Sequence, residues 1–152
     1  MFFFSGTGPL GRDRARAHSQ SHRPTLKQRR ARLAGTMPAG GHIHVELAWV
    51  GTIMYELLTA TGEGAHIYIH RLPSGDGFRL RHHHLGYLID SEAQWDALME
   101  SAQKGGHGMP HLSRNAGFMT SCFIDAPMLG HYLEFIWPEE AGRAFFESVP
   151  GN

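Results

Sequence analysis

The stretch His82–Gly106, HHHLGYLIDSEAQWDALMESAQKGG, decides how this chain divides into elements. Its first part, HHHLGYLI, has the aromatic and aliphatic content of a short strand. In the second part Trp95, Leu98, Met99 and Ala102 recur at the i, i+3, i+4, i+7 spacing of an amphipathic helix. Ser91 and Gln94 have the S-x-x-Q spacing of a capping box, and Gly105–Gly106 stops the helix. Three adjacent histidines at the strand entrance also raise the question of a metal site. Neighbours on a strand point to opposite faces, so a regular strand would put His82 and His84 together and His83 behind them. A site therefore needs partners from elsewhere in the chain.

Upstream, His42–Val50 and Thr52–Ala60 are rich in β-branched and aromatic residues, with Gly51 between them, and read as two strands with a tight connection. Residues 61–81 mix turn signals (TGEG, PSGDG) with AHIYIHRL, which suits a short helix or a strand. Downstream, Met109–Ser113, Gly117–Ile124 and His131–Trp137 read as strands. A last helix follows from Pro138, its apolar stripe formed by Ala141, Phe145 and Val149. From residue 82 the order is β-α-β-β-β, preceded by a pair of strands. The fold class is α+β.

A chain of 152 residues is one domain by size, and its formal net charge is zero. That zero hides a split: residues 1–36 carry a charge of +7 and the remainder −7. An acidic body gives no sign of a nucleic-acid-binding surface. Cys122 is the single cysteine, which excludes an internal disulfide and a CxxC zinc site. No apolar run approaches the ~18 residues of a membrane span. Phe2–Phe4 is too short for a signal-peptide core. The expectation is a cytoplasmic setting, with neither nucleic acid nor membrane as partner.

Residues 1–40, rich in Arg, Ala, Gly, Ser and Pro, show no periodicity and form a basic leader ahead of a domain over 41–152. Three readings of the leader stay open: a disordered tail, an Arg-rich organellar targeting segment, or a misassigned start with Met37 as the true one. A nucleic-acid arm would want interleaved aromatics for stacking, which the leader lacks.

Two glutamates stand inside apolar strands: Glu56 in IMYELL and Glu134 in HYLEFIW. Alternation puts Glu134 with Tyr132 and Ile136, and Glu56 with Thr52, Met54 and Leu58. An ionised carboxylate on a buried face is costly unless paired or bound to a metal. A solvated edge position, or pairing with an arginine, would explain either one alone.

The run HHLGYLID, the helix after it, and GHYLEFIWPEEAGRAFFESVP together resemble the glyoxalase-like branch of the vicinal oxygen chelate superfamily. Its members include glyoxalase I, methylmalonyl-CoA epimerase, bleomycin-resistance proteins and extradiol dioxygenases. The resemblance covers about 43–150 and implies paired βαβββ modules whose curved mixed sheets form an open cup. It implies one complete module (82–137) and one partial module lacking its first β-α-β, where the basic leader stands instead. It also implies metal ligands on the first and last strands of each module: His84, Glu134 and, from the preceding module, Glu56. Such a set suits a divalent ion, Zn²⁺, Ni²⁺, Co²⁺, Mn²⁺ or Fe²⁺. The first-module histidine of the family has no counterpart here. A partner chain completing the cup as a homodimer, His42 or His44, or water would fill that position, or the chain is an inactive truncated fragment.

The implied activity is a metal-dependent isomerase, lyase or epimerase acting on a small molecule with vicinal oxygens, with Glu56 as a further ligand or as the catalytic base. The alternative is a non-catalytic small-molecule binding module of the bleomycin-resistance kind. Plainer readings cover the other histidines. His18 and His22 lie in the leader, His66, His70, His107 and His111 in or near loops, and His131 opposite Glu134. Tyr87, Phe118 and Phe123 are candidates to line a pocket, although aromatic strand residues are more often core.

Overall fold

The computed structural model describes residues 2–5, 31–36 and 40–151. Two hairpin strands open the domain, β3 (His42–Val50) and β4 (Ile53–Thr61), joined through Gly51 at φ 61°. A left-handed residue in so tight a connection favours glycine. A short helix α1 (His66–Ile69) resolves the ambiguous AHIYIHRL segment. The expected strand over HHHLGYLI is two strands, β5 (Arg79–His82) and β6 (His84–Leu88), interrupted at His83. Then come α2 (Glu92–Lys104), β7 (His111–Asn115), β8 (Met119–Ala126), a 3₁₀ turn (Pro127–Leu129), β9 (His131–Pro138) and α3 (Glu140–Ser148).

The second sheet has the order β6-β9-β8-β7, with β6 parallel to β9 and the other pairs antiparallel. With α2 linking β6 to β7, this is the βαβββ module expected over 82–137. The helix forms as its sequence dictates. Ser91 Oγ accepts the Gln94 backbone N–H at 3.3 Å, while Gln94 Oε1 accepts the Asp90 N–H at 3.0 Å. Trp95 and Ala102 are buried against Cys122 and Ile124 of β8, with Leu98, Met99, Phe135 and Trp137 around them. This helix covers one face of the sheet, and the other face turns toward the first sheet.

The first sheet differs from expectation at its ends. Two stretches of the basic leader are strands: β1 (Phe2–Ser5) and β2 (Ala31–Thr36). Their pairing gives the order β2-β3-β4-β1-β5, with β1 parallel to β4. Four of these strands, β2-β3-β4-β1, repeat the order and directions of β7-β8-β9-β6. The first module thus holds four strands where the sequence suggested two, because strand pairing can recruit a segment whose own pattern is too short to read. Residues 6–30, which join β1 to β2, lie outside the described residues, as does most of the expected disordered leader.

Val45, Leu47, Leu58 and Ala60 of the first sheet meet Phe123 and Tyr132 of the second, with Tyr68 of α1 and Val149 joining them. The last helix ties the two sheets together. Trp49 of β3 donates its indole N–H to the Phe146 carbonyl at 3.4 Å, and its backbone N–H to Pro150 O at 2.9 Å. Among the described residues no helix is long and apolar enough to cross a membrane.

Gly142 fixes how close α3 comes to the second sheet. A Cβ there would collide with the Phe118 carbonyl, which already accepts the Glu139 N–H at 2.9 Å, and would meet Pro138 Cβ at 3.2 Å. Gly142→Ala is therefore expected to destabilise the fold by about 1–3 kcal/mol, the usual cost of overpacking. Urea unfolding checks this: the midpoint should fall with little change in slope.

Candidate functional site

Between the sheets lies a cavity of about 210 Å³, walled by apolar side chains such as Val45, Leu47, Leu58 and Ile136. Glu56, His84 and Glu134 all open onto it. A neighbouring cavity of about 290 Å³ shares Glu56 and His84 and extends toward Trp49, Met54 and Gly86.

Strand alternation predicts the glutamates correctly. Glu134 faces inward with Tyr132 and Ile136, while Phe135 and Trp137 face α2. Glu56 faces inward with Leu58, while Tyr55 and Leu57 are exposed on the outer face. Each glutamate occupies the last strand of its four-stranded unit, β4 or β9, so the repeated topology carries both to the same space. His84 arrives from β6, where it partners Tyr132, and Gly86 partners Glu134. A Cβ at Gly86 would stand 3.8 Å from Glu134 Oε2, an ordinary van der Waals contact, so this position lies directly beside the carboxyl.

His84 is 1% exposed, and its Nε2 lies 2.8 Å from Glu134 Oε2. The approach lacks hydrogen-bond geometry, and Nε2 is a buried nitrogen with no hydrogen-bond partner among the described residues. The other ring nitrogen, Nδ1, is 2.7 Å from Nδ1 of His83. Glu56 lies close enough to act electrostatically on both His84 and Glu134. Among the described residues, however, no three His, Cys, Asp or Glu side chains stand together as a group that could hold a metal ion. Of the expected ligand set, His84 and Glu134 lie 2.8 Å apart, and Glu56 faces the same cavity.

Burial dominates the electrostatics. It raises Glu134 to about 8. It also raises Glu56 to about 7, with the Glu134 charge adding and His84 opposing. Burial lowers His84 to about 4 and His83 to about 3. At neutral pH the metal-free site therefore holds neutral imidazoles beside a protonated Glu134.

A divalent ion fits this pair in donor chemistry: an imidazole nitrogen and a carboxyl oxygen converge to 2.8 Å, and the nitrogen has no hydrogen-bond partner among the described residues. It would displace the carboxyl proton, as metal binding generally does.

Several histidines and aromatics fall elsewhere than the sequence suggested. His42 and His44 are exposed, on the face opposite Val45 and Leu47, with His44 Nε2 3.9 Å from Glu46 Oε1. Strand parity thus removes both as replacements for the missing ligand. His83 is not turned away from His84, because the strand breaks there and alternation does not carry across the break. His82 stands against His131, with ring centroids 4.6 Å apart. Phe123 lines the cavity, but Tyr87 is exposed and stacks on Phe135, and Phe118 packs on Phe145. His111 and Tyr68 both line the cavity, and nothing in the sequence around them marks either as a site residue.

No family model matches the chain, and no curated protein matches it. A solved structure with some likeness is that of a glyoxalase family protein from Bacillus cereus, 10% identical, with 74% of this chain and 76% of that one covered at a TM-score of 0.32. At that distance the site has to be read from its own geometry. That geometry defines an α+β protein of two mixed sheets sharing one topology, with acidic and imidazole groups buried between them.

The shifted groups predict how the metal-free protein responds to pH. Glu56 and Glu134 keep protons in the fold that the unfolded chain releases near 4.5. Their contribution is complete below that value and is lost as pH rises through about 7 and about 8. His84 and His83 act oppositely: their contribution is complete above 6.5 and is lost as pH falls toward about 4 and about 3. The two effects offset each other between 4.5 and 6.5, and above 6.5 the carboxyl effect stands alone. Melting temperature in the presence of chelator should therefore fall from about pH 6.5 to 8, and Glu134→Gln should flatten that fall. A melting temperature that climbs over this interval would contradict the buried-acid arrangement.

Proposed function

We propose that this chain is a vicinal oxygen chelate-type protein whose cavity takes a small molecule with adjacent oxygens. In this reading His84 and Glu134 hold a divalent ion, and Glu56 moves a proton. The reading is carried by one observation: His84 Nε2 and Glu134 Oε2 converge to 2.8 Å inside the cavity, on the first and last strands of a βαβββ unit. The repeat of the same strand order in the first sheet supports it, since that repeat brings Glu56 to the opposite wall.

A divalent ion bound at this pair would supply Lewis-acid stabilisation of an enolate oxygen. Glu56 is suited to be the general base rather than a ligand. It faces the same cavity, and burial brings it to about 7, where a carboxylate is basic enough to take a proton from the carbon beside a carbonyl. The protonated Glu56 then returns that proton to the same or a neighbouring carbon, which is an isomerisation or an epimerisation. Val45, Leu47 and Phe123 keep water away from the carbanion-like intermediate. The apolar wall also suits a second reading, a binding module that encloses a small apolar ligand without chemistry.

Metal content separates the two. Purified protein incubated with Zn²⁺, Ni²⁺, Co²⁺, Mn²⁺ or Fe²⁺ and freed of excess should retain one equivalent of its preferred ion. His84→Ala and Glu134→Ala should each weaken binding by more than the roughly 10–100-fold that an outer partner contributes. Absence of stoichiometric uptake across all five ions would leave the binding-module reading in place. Glu56→Gln should retain the ion yet lose exchange of a carbonyl compound's α-hydrogen with deuterated solvent. If Glu56→Gln exchanges at the native rate, Glu56 is not the base.

A further inference from the structure

His83 sits at the break between β5 and β6, 5% exposed, and its ring is in contact with His84. Its Nε2 lies 3.0 Å from the Ile67 carbonyl oxygen and its Nδ1 lies 2.7 Å from Nδ1 of His84. A carbonyl only accepts, so the hydrogen of the neutral His83 ring is on Nε2. Nδ1 of His83 is then a lone pair, and the short contact to His84 requires a hydrogen on Nδ1 of His84. The second nitrogen of His84 is consequently bare. Its lone pair points into the space that Glu134 Oε2 approaches to 2.8 Å.

From this chain of bonds, Ile67 C=O to His83 to His84, we infer that His83 is a positioning residue that locks His84 in the Nδ1–H tautomer. It thereby presents the Nε2 lone pair to whatever occupies the site. Free neutral imidazole favours the opposite tautomer, so the lock has to come from the surroundings. A ligating histidine commonly gives its remote N–H to a carboxylate or a carbonyl. Here that role falls to a second histidine, which passes the bond on to the backbone.

The ring of His83 is held for this task from several sides. It stacks on Tyr68 at 5.3 Å between centroids, meets Phe123 edge-on at 5.4 Å and lies 5.2 Å from Tyr132. Its backbone carbonyl accepts the Tyr132 N–H at 2.9 Å. The α1 turn that supplies Ile67 also supplies Tyr68, so one short helix both orients the His83 ring and receives its hydrogen bond.

The consequence for metal affinity rests on the proposed function; the tautomer itself does not. Long-range ¹H–¹⁵N spectra of ¹⁵N-histidine-labelled, metal-free protein report the tautomer of each ring. Native protein should show His84 as Nδ1–H. His83→Phe keeps an aromatic ring against Tyr68, Phe123 and Tyr132 but removes the acceptor, and should convert His84 to Nε2–H. His83→Gln, whose side-chain oxygen can still accept, should restore Nδ1–H.

Titration of the same proteins with Ni²⁺, with His84→Ala as the baseline for surface histidines, should show affinity about 10–100-fold weaker in His83→Phe. His84 found as Nε2–H in the native protein overturns the inference, whatever the variants do. So does a His84 tautomer that His83→Phe leaves unchanged. If the tautomers behave as expected but Ni²⁺ does not bind the native protein, the metal reading fails and the role of His83 stands.

Discussion

At His83 the chain leaves the edge of one sheet and enters the edge of the other, and the rest of the site depends on that crossing. β5 ends at His82 paired to β1, while β6 begins at His84 paired to β9. Only one residue separates the two pairings, so the two sheets are held face to face with little freedom at this seam. The residue that makes the crossing cannot leave its polar ring unsatisfied in the interior. His83 resolves this with bonds at both nitrogens, to Ile67 and to His84.

Burial between the sheets governs how the ionisable groups there are tolerated. Glu56, His84 and Glu134 are all desolvated, and burial pushes each toward its uncharged form. A neutral set of hydrogen-bonding groups can be enclosed at a cost the apolar contacts around Leu58 and Phe123 offset. In the proposed reading a cation would take the place of the Glu134 proton, because a carboxyl gives up its hydrogen more readily once a positive charge arrives.

Much of this was legible in the sequence where a pattern is local. The α2 helix follows from Ser91, Gln94 and the Trp95–Ala102 stripe, and alternation along β4 and β9 gives each glutamate its neighbours on the same face. The leader was not legible in this way. Phe2–Ser5 and Ala31–Thr36 carry no periodicity of their own, and they become strands only by completing hydrogen bonds along the edges that β3 and β4 offer. The roles of His111 and Tyr68 were likewise invisible, since a side chain on a short element lines a cavity only once another element closes over it.

The triplet at 82–84 divides the two kinds of information. The parity of β6 and β9 is a local property, and together with the strand arrangement that the family resemblance implied it set His84 toward Glu134. Only the tertiary structure decided which histidines touch. A single residue out of register at the crossing cancels alternation, and so His83 lies against His84 rather than behind it. Parity holds within a hydrogen-bonded ladder. It has no force across a break, where packing against Tyr68, Phe123 and Tyr132 sets the direction of the ring instead.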